Sequence, residues 1–327
     1  MRSSKTYFCA LGLAGAVAAA TAWSPEARAE WKPQKPVEFV VMAGQGGGAD
    51  KLARFIQSII EKNKLADVPF IPINKGGGSG ADALRYLKDN AGNDHVIMAT
   101  LNSYYTTPLR NPGIGVNIEE FTPIARLAED FFVLWVNADS PIKSVDDYVK
   151  MVKDKGTGWK MGGTGTGQED SLVTAMLEQT YGLKMTYVPF KGGGDVAVNL
   201  VGKHVDSTVN NPSEALGFLQ AGKVRALASL TAERIPAFKD VPTFKELGKD
   251  LNYVMQRSVV APGGIKPEVA AYYRSVFDKV FKSSEWQDYC KKEGLACAWL
   301  AGDELKKYFS VETKKHEALL KQMGEIK

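Results

Sequence analysis

One order of local patterns occurs twice in this chain and constrains its fold more than any other feature. In the first copy, an apolar run at residues 37–41 leads into the glycine-rich segment 43–50, a helical pattern, a short strand and Lys-Gly-Gly-Gly at residues 75–78. In the second copy, Gly-Gly-Thr-Gly-Thr-Gly at residues 162–167 precedes a helical pattern, a short strand and Lys-Gly-Gly-Gly at residues 191–194. Alternating strands and helices are typical of an α/β fold with mostly parallel sheets. The duplication predicts two similar lobes, and glycine loops at helix starts predict that the lobes hold one small anion between them.

The N-terminus has the layout of a secretory signal peptide. Arg2 and Lys5 form a basic region, residues 7–22 are apolar and rich in alanine, and an A-x-A cleavage motif ends at Ala29. A membrane anchor is the alternative, but the apolar run is shorter than the ~20 residues that a membrane span needs. We therefore expect residues 1–29 to be removed and the mature protein to be soluble and exported, most simply to a bacterial periplasm.

Length and charge limit the possible organisation and partners. The second lobe is predicted over residues 136–251, and the first lobe is discontinuous, with residues 30–135 and 252–327. Lys and Arg number 41 against 37 Asp and Glu, and no long basic run occurs. This near balance argues against nucleic acid as a partner. We expect a monomer.

Several local signals predict particular helices and strands. Residues 50–61 and 169–180 each place apolar side chains on one helical stripe. The segment 144–147 resembles a capping box with Asp in place of Glu, and Pro267 suits the first position of a helix. A strand at residues 253–261 is expected to return the chain to the first lobe.

The first glycine segments of the two copies are the predicted anion sites. Glycine permits positive φ and lets a ligand approach the main chain, while the start of a helix offers unpaired N–H groups and a positive dipole end. Residues 44–49 and 163–167 both fit a carboxylate in this way. Asp50 would repel an anion, so the preferred interpretation is that it caps the helix or fixes the loop. The side chains that could add hydrogen-bond donors are Thr164, Thr166 and Gln168.

The second glycine segments, at residues 74–78 and 191–194, also follow strands. Ligands of open α/β sheets bind outside the carboxyl ends of strands, so Asn74, Lys75 and Lys191 are candidates for the cleft. The alternative is that both lysines are ordinary solvated side chains. Asn and Tyr could hydrogen-bond a second carboxylate or a hydroxyl, and Arg could pair with a carboxylate. On these grounds the remaining candidates are Asn102, Tyr104, Asn210, Asn211 and Arg257.

Other chemistry is weakly supported. Residues 44–49 match the dinucleotide pattern G-x-G-x-x-A, but Asn74 stands where an acidic residue is expected, and we predict no cofactor. His95, His204 and His316 have no metal-ligand spacing, and no nucleophile elbow occurs. An exported α/β enzyme acting on a small carboxylic acid stays open as the alternative to a binding protein.

Only two cysteines, Cys290 and Cys297, follow the predicted cleavage site. In an oxidising compartment such a pair can form a disulfide, and Gly294 between them permits the necessary turn. Two reduced, buried thiols are the alternative. Because there is no C-x-x-C motif, we expect a structural role for the bond and no redox role.

The loops, their order and the signal peptide together resemble the periplasmic solute receptors of tripartite tricarboxylate transporters, the Bug family. Residues 46–54, 74–78, 165–167, 187–194 and 202–212 carry the resemblance, which covers essentially all of the mature chain. It implies a two-lobed periplasmic-binding-protein type II (Venus flytrap) fold. It also implies a receptor, not an enzyme, that closes on a carboxylate and delivers it to integral membrane transporter subunits.

In such receptors the first glycine loop and its second-lobe counterpart hold the carboxylate. Two departures from the family pattern leave the far end of the ligand open. Gly76 replaces a proline, and residues 168–171 replace a stretch that commonly contains a histidine. We expect a dicarboxylate, and a sensor subunit for a membrane kinase would use the same receptor. The residues to which the resemblance assigns the carboxylate are Gln45, Gly46, Gly47, Asp50, Thr164, Gly165, Thr166 and Gly167.

Overall fold

Two β-sheets with helices on their faces form the molecule. The computed structural model describes residues 31–327. The predicted signal peptide and its cleavage site lie outside the described residues. Within residues 31–327, no helix is both long enough and apolar enough to span a membrane.

The described residues contain eleven strands and ten α-helices. The strands are β1 (Val37–Val41), β2 (Phe70–Asn74), β3 (Val96–Thr100), β4 (Thr122–Phe131), β5 (Val133–Asn137), β6 (Lys160–Gly163), β7 (Thr186–Pro189), β8 (Ser207–Thr208), β9 (Val224–Ser229), β10 (Val254–Ala261) and β11 (Ala296–Ala301). The helices are α1 (Gly48–Lys62), α2 (Ala81–Asp89), α3 (Ser103–Arg110), α4 (Val145–Lys155), α5 (Glu169–Tyr181), α6 (Gly193–Val201), α7 (Pro212–Gln220), α8 (Pro267–Lys282), α9 (Ser284–Glu293) and α10 (Gly302–Gln322).

The strands divide into a first sheet, in the order β11-β4-β10-β3-β1-β2, and a second sheet, in the order β7-β6-β8-β5-β9. Only Phe132 separates β4 of the first sheet from β5 of the second, and β10 returns the chain to the first sheet after β9. The sheet change therefore falls close to the predicted passages between lobes. The division into lobes at residues 135/136 and 251/252 stays a prediction.

Both sheets are mixed, so the expectation of mostly parallel sheets is wrong. The β1–β2, β1–β3, β6–β7 and β6–β8 pairs are parallel, as strands joined through helices usually are. Antiparallel pairs are made by the strands on either side of each crossing between sheets. These strands are β4 and β5 at the first crossing, and β9 and β10 at the second. They enter each sheet from the opposite end and need no crossover helix.

Alternating side chains cover both faces of each sheet with apolar cores. In β1, Phe39 and Val41 point into one core, and Val40 points into another. In β5, Leu134 belongs to the core that it shares with the first sheet, and Trp135 packs on the opposite face. This period-2 alternation, with both faces buried, is the reason that these strands are nearly continuous apolar runs.

Local signals explain where the helices begin. Ser144 and Asp147 form both hydrogen bonds of a capping box at the start of α4, and Pro267 is the first residue of α8, as predicted. The predicted helices at residues 50–61 and 169–180 correspond to α1 and α5, with bounds that differ by at most two residues. The start of α1 matters most for the site, because the glycine-rich segment at residues 43–49 leads from the end of β1 into this helix.

Candidate functional site

The glycine loops of the two copies converge on one cavity between the sheets. Loop 1 (residues 43–49) follows β1, loop 2 (residues 163–168) follows β6, and residues 191–193 follow β7. All three lie at carboxyl ends of strands, where α/β sheets bind ligands. The cavity has a volume of about 40 Å³. Its walls are Ala43, Gly44, Gly47, Gly48, Ala49, Leu101, Thr164, Gln168, Glu169, Asp170, Lys191, Gly192, Gly193, Asn211, Glu214, Met255 and Arg257.

Loop 1 is fixed by its own side chains and by close contact with the second sheet. The Asp50 carboxylate accepts the Gly46 N–H at 2.9 Å and pairs with Arg54 Nε at 2.9 Å. Gly46 has φ +74°, which favours glycine. At Gly44, a Cβ atom would overlap the Lys191 carbonyl. Asp50 thus ties down the loop, which is the role preferred for it on sequence grounds.

Loop 2 satisfies its backbone donors internally. Its N–H groups donate to side chains of loop 2 and of the first turn of α5: Thr164 to Asp170 Oδ2, Gly165 to Gln168 Oε1 and Gly167 to Ser171 Oγ, each at 2.8 Å. The Thr166 carbonyl accepts the Ser79 hydroxyl at 2.8 Å, so this loop also binds the first-sheet side of the molecule. These N–H groups are therefore already engaged in the conformation described.

Two carboxylates of the second-sheet helices bind helix N-termini beside the first sheet. Glu214 Oε1 accepts the N–H of Gly48, the first residue of α1, at 2.8 Å. Glu169 accepts the N–H of Ser103, the first residue of α3. Both glutamates are buried. Each carboxylate takes the position at a helix start that the dipole makes favourable for an anion.

A buried ion pair completes the electrostatics of the cavity. Arg257 Nε contacts Asp130 Oδ2 at 3.0 Å, and Arg257 Nη2 contacts Asn211 Oδ1 at 3.1 Å. Both members of the ion pair are at most 2% exposed. Burial raises the pKa of Asp130 above its ordinary value, against the opposing effect of Arg257. Much of the positive charge of Arg257 is thus balanced within the protein.

Burial also raises the pKa of Glu169 and raises that of Asp170 well above its ordinary value. For Asp170, the neighbouring carboxylates of Glu214 and Glu169 add to the effect of burial. The cavity therefore brings several acidic groups together in a place with little water. Sequence reasoning noticed Glu169 and Asp170 only as departures from the family pattern.

The candidates from the sequence divide into two groups. Residues that line the cavity are Gly47, Thr164, Gln168, Lys191, Asn211 and Arg257. Residues that do not line it are Gln45, Gly46, Asp50, Asn74, Lys75, Asn102, Gly165, Thr166, Gly167 and Asn210. Several of the second group support the walls: Asn210 Nδ2, for example, donates to the Gly193 carbonyl at 2.9 Å and to Glu214 at 3.0 Å.

Three of the candidates outside the cavity have other partners. Lys75 Nζ lies 4.1 Å from the centre of the Tyr86 ring, in a shallow depression on the outside of the first sheet. Asn74 Nδ2 donates to the Ala43 carbonyl at 3.0 Å and so holds the entry to loop 1. Asn102 is fully buried and donates to the Val254 carbonyl at 2.9 Å.

Glu214 is the main cavity residue that sequence reasoning missed. A signal was available, because Asn211 and Glu214 form a capping box at the start of α7, a pattern readable from their spacing. The capping box alone, however, predicts an exposed helix start. Glu214 reaches Gly48, 166 positions earlier in the chain, and no local pattern encodes that pairing.

The histidines and cysteines have structural surroundings. His316 is buried and lies 3.2 Å from the Tyr253 hydroxyl, and burial lowers its pKa. Within residues 31–327, no three His, Cys, Asp or Glu side chains are grouped so that they could hold a metal ion. Cys290 and Cys297 form a disulfide with a Cα–Cα distance of 5.9 Å, linking the end of α9 to β11.

A larger cavity lies elsewhere, between α3 and α10. Its volume is about 590 Å³, and its walls include the rings of Tyr104, Tyr105, Phe121 and Phe309. Tyr104, a candidate from the sequence, lies there and donates its hydroxyl to the Ile118 carbonyl at 3.0 Å. None of the glycine loops contributes to this cavity.

Proteins of similar fold are known. The chain superimposes on the periplasmic binding protein BugD with a TM-score of 0.85, at 22% identity and with coverage of 90% of this chain and 99% of that one. A protein of R. palustris solved with adipate gives a TM-score of 0.84 at 24% identity, with coverage of 89% and 98%. These likenesses show that the fold is that of periplasmic binding proteins, as predicted.

Sequence comparison gives the family. A UPF0065 protein from the gbd 5′ region of Cupriavidus necator is 25% identical over 315 residues, which are 96% of this chain and 95% of that protein. The family model described as the tripartite tricarboxylate transporter family receptor matches residues 52–325. These residues include most of α1, all of loop 2 and every described strand except β1. The chain therefore belongs to the family of tripartite tricarboxylate transporter receptors, a family of solute-binding proteins.

Proposed function

We propose that this protein is a periplasmic receptor that binds a small organic acid, a dicarboxylate, in the cavity between its two sheets. The observation that carries the proposal is the convergence of glycine loops from both sheets on one cavity, in a chain of this receptor family. The bound acid would pass to the integral membrane subunits of a tripartite transporter. The receptor itself acts as a monomer and catalyses no reaction.

Binding requires the walls of the cavity to separate. A volume of about 40 Å³ holds roughly three water molecules at the 10–15 Å³ of accessible volume that each needs, which is too little for an adipate-sized molecule. The walls belong to different sheets, joined by the short link at Phe132 and by β10. We propose that residues 136–251 move as one lobe against residues 30–135 and 252–327, open to admit the ligand and then close to exclude water.

Lys191 and Arg257 are the basic side chains of the cavity, and they are the proposed partners of a ligand carboxylate. Lys191 is exposed, whereas Arg257 is buried and fixed by Asp130. The remaining sequence candidates that line the cavity (Gly47, Thr164, Gln168 and Asn211) would add main-chain and amide hydrogen bonds. The adipate in the R. palustris relative supports a ligand of this class.

Thermal unfolding tests the receptor proposal. The protein is purified from the periplasmic fraction, unfolded and refolded to remove bound ligand, and heated with mono-, di-, tri- and aromatic carboxylates. Sugars and NAD serve as controls. A ligand at 100 times its Kd should add about 2.7 kcal/mol to the free energy of unfolding, which raises Tm by several degrees in a chain of this size. No change with any acid would contradict the proposal, and turnover of the bound acid would favour an enzyme.

Export and delivery need separate measurements. The mass of the periplasmic protein should correspond to a chain that begins at Glu30, and a full-length mass would contradict cleavage after Ala29. Uptake of the labelled acid should require both the receptor and the membrane subunits. Uptake that continues without the receptor, together with a changed transcriptional response to the acid, would instead support a sensor.

A further inference from the structure

A buried histidine lies where the two links between the sheets meet. The chain crosses from the first sheet to the second at Phe132 and returns through Tyr253, which directly precedes β10. The ring centres of these two residues are 5.5 Å apart. His316 on α10 is 3% exposed, and its Nε2 atom lies 3.2 Å from the Tyr253 hydroxyl. His316 therefore contacts the segment by which the chain returns to the first sheet.

Both ring nitrogens of His316 are engaged in the neutral form. Nδ1 lies 2.8 Å from the Glu312 carbonyl, which can only accept, so Nδ1 carries the proton. Nε2 is then an acceptor, and it faces the Tyr253 hydroxyl and, at 3.4 Å, the Asn102 Nδ2 group. An amide NH2 group can only donate. The surroundings thus favour one neutral tautomer, which joins α10 to Asn102 and Tyr253.

Asn102 extends this contact to the start of β10. Its Nδ2 group also donates to the Val254 carbonyl at 2.9 Å, and its Oδ1 atom accepts the Gln256 N–H at 3.1 Å. These two bonds fix the orientation of the amide. Met255 and Arg257, which alternate with those residues along the strand, line the central cavity, the one between the sheets. The neutral histidine therefore supports the part of β10 that supplies two residues of the cavity wall.

Protonation of His316 would disturb this arrangement in two ways. Nε2 would become a donor that faces another donor, Asn102 Nδ2, and a positive charge would be buried. The charged groups beside the ring on α10 have opposite effects: the Glu312 carboxylate, 3.6 Å from Nδ1, favours the protonated form, and Lys315 disfavours it. Burial has the largest effect, and it lowers the pKa of His316.

The other elements around the ring contribute two tyrosines and one acid. Tyr105 on α3 and Tyr253 have ring centres 4.6 and 5.6 Å from that of His316, and burial raises the pKa of both hydroxyls well above the ordinary value. Glu169 on α5 acts on these two tyrosines. A cavity of about 190 Å³ adjoins His316, with Met176 of α5 in its wall. It gives the protonated ring, and the elements around it, space to move.

We propose that His316 is a pH-sensitive switch of the return strand: the neutral ring holds the start of β10 in place, and protonation of the ring releases it and weakens ligand binding. The inference rests on the proposed function, because the released strand supplies Met255 and Arg257 to the cavity of the carboxylate receptor. Such a receptor holds its acid less tightly in an acidic periplasm than in a neutral one.

Ligand affinity at two pH values tests the switch. His316→Gln removes the titration and keeps an amide oxygen that can accept the Tyr253 hydroxyl, while His204→Gln removes an exposed histidine and is the matched control. Titration calorimetry of the mature protein with adipate gives the ratio of the Kd at about pH 5 to that at about pH 8, the range in which histidine changes its charge. Protonation of adipate affects every protein equally and cancels. We expect the ratio for the unmutated protein and for His204→Gln to exceed that for His316→Gln by about fivefold or more. Equal ratios in all three proteins would overturn the switch and leave the carboxylate receptor standing.

Hydrogen exchange measures the strand itself and needs no ligand. After correction for the intrinsic effect of pH, amides of residues 253–258 should exchange faster at about pH 5 than at about pH 8 in the unmutated protein, and equally fast in His316→Gln. Exchange that does not accelerate in the unmutated protein would overturn the release of the strand. If adipate and every other acid fail to bind, the receptor proposal fails, and exchange still decides whether His316 controls β10. If His316→Gln does not fold, His316→Asn, whose amide can donate to the Glu312 carbonyl, is measured in the same way.

Discussion

The two Lys-Gly-Gly-Gly segments have the same sequence and follow equivalent strands, yet only the second belongs to the central cavity. Lys191, Gly192 and Gly193 form part of its wall. In the first copy, Lys75 turns outward onto the Tyr86 ring, and the glycines at residues 76–78 pack beside loop 1 and α2. The same motif is a ligand wall in one place and a support for the neighbouring loop in the other.

The difference arises from what each segment packs against. A Cβ atom on Gly193 would overlap the Glu214 carboxylate, and one on Gly194 would lie 2.9 Å from the Gly46 carbonyl. The second segment thus brings the two sheets together through backbone contact. A Cβ atom on Gly77 would meet only the side chain of Asp82, which is well exposed. Position relative to the other sheet, not the motif, decides the role.

The largest expected effect comes from Gly193→Ala, with Gly77→Ala as its matched control. The new methyl group overlaps Glu214, which is held by Gly48, Asn210 and Asn211, so the wall must move. We expect a loss of about 1–3 kcal/mol in the free energy of unfolding and a Kd at least about tenfold higher. Urea unfolding and titration with the identified ligand measure the two quantities.

Gly77→Ala should change both quantities little, by less than about 0.5 kcal/mol, since Asp82 can rotate into solvent. Neither Gly77 nor Gly193 has a positive φ, so alanine is permitted by the backbone at both positions. Equal losses at both positions would mean that the two segments are equivalent after all, and that packing against Glu214 carries no special weight.

An intermediate effect is expected from the lysines. Lys191→Ala should raise the Kd for a carboxylate about two- to fivefold, because an exposed charge is worth about 1 kcal/mol or less. The loss should shrink as salt is added. Lys75→Ala removes the contact with Tyr86, worth about 0.5–1 kcal/mol of stability at an exposed site, and should leave the Kd unchanged. A weaker Kd for Lys75→Ala alone would reverse the assignment of the two segments.

The sequence predicted what depends on local pattern. The α1 stripe, the Ser144 capping box, Pro267 at the start of α8 and the crossing strand β10 all follow from residues close together in the chain. The mixed character of the sheets was not predicted, because strand direction depends on which sheet the chain enters. Hydrophobic periodicity gives no information on that choice.

For the site, too, local sequence patterns predicted only what neighbouring residues determine. Glycine loops at strand ends could be recognised, since strand, loop and helix are consecutive. The acidic character of the cavity could not, because it arises from pairs such as Glu169 with Ser103 and Glu214 with Gly48, which join distant parts of the chain. Asp50 and Glu169 both follow glycine loops closely in sequence, but one ties down its own loop and the other lines the cavity.

The smallest expected effect is on the pH dependence of stability, and it tests the acids beside loop 2. A carboxyl group with a raised pKa in the folded state contributes stability that is present below its unfolded pKa and is lost as pH rises through the folded pKa. Burial raises the pKa of Glu169 above its ordinary value. The groups that act on Glu169 and Asp170 include Glu214 on α7, Arg257 on β10 and the Ser103 and Thr164 N–H groups.

Glu169→Gln removes this titration, so the stability of the variant relative to the unmutated protein should increase as pH rises from about 4 to about 8. We expect a change of about 1 kcal/mol or less, because the Ser103 N–H offsets part of the cost of burial. Urea unfolding without ligand, across this range, measures it against the control Glu268→Gln, which removes an exposed carboxylate on α8. A hydrogen bond from Lys62 lowers the pKa of Glu285 to about 2, so Glu285 has the opposite effect on the pH dependence of stability. This contribution is the same in all three proteins and cancels when their stabilities are compared. A difference between Glu169→Gln and the unmutated protein that stays constant with pH would mean that Glu169 is charged throughout and already compensated, and would contradict the raised pKa.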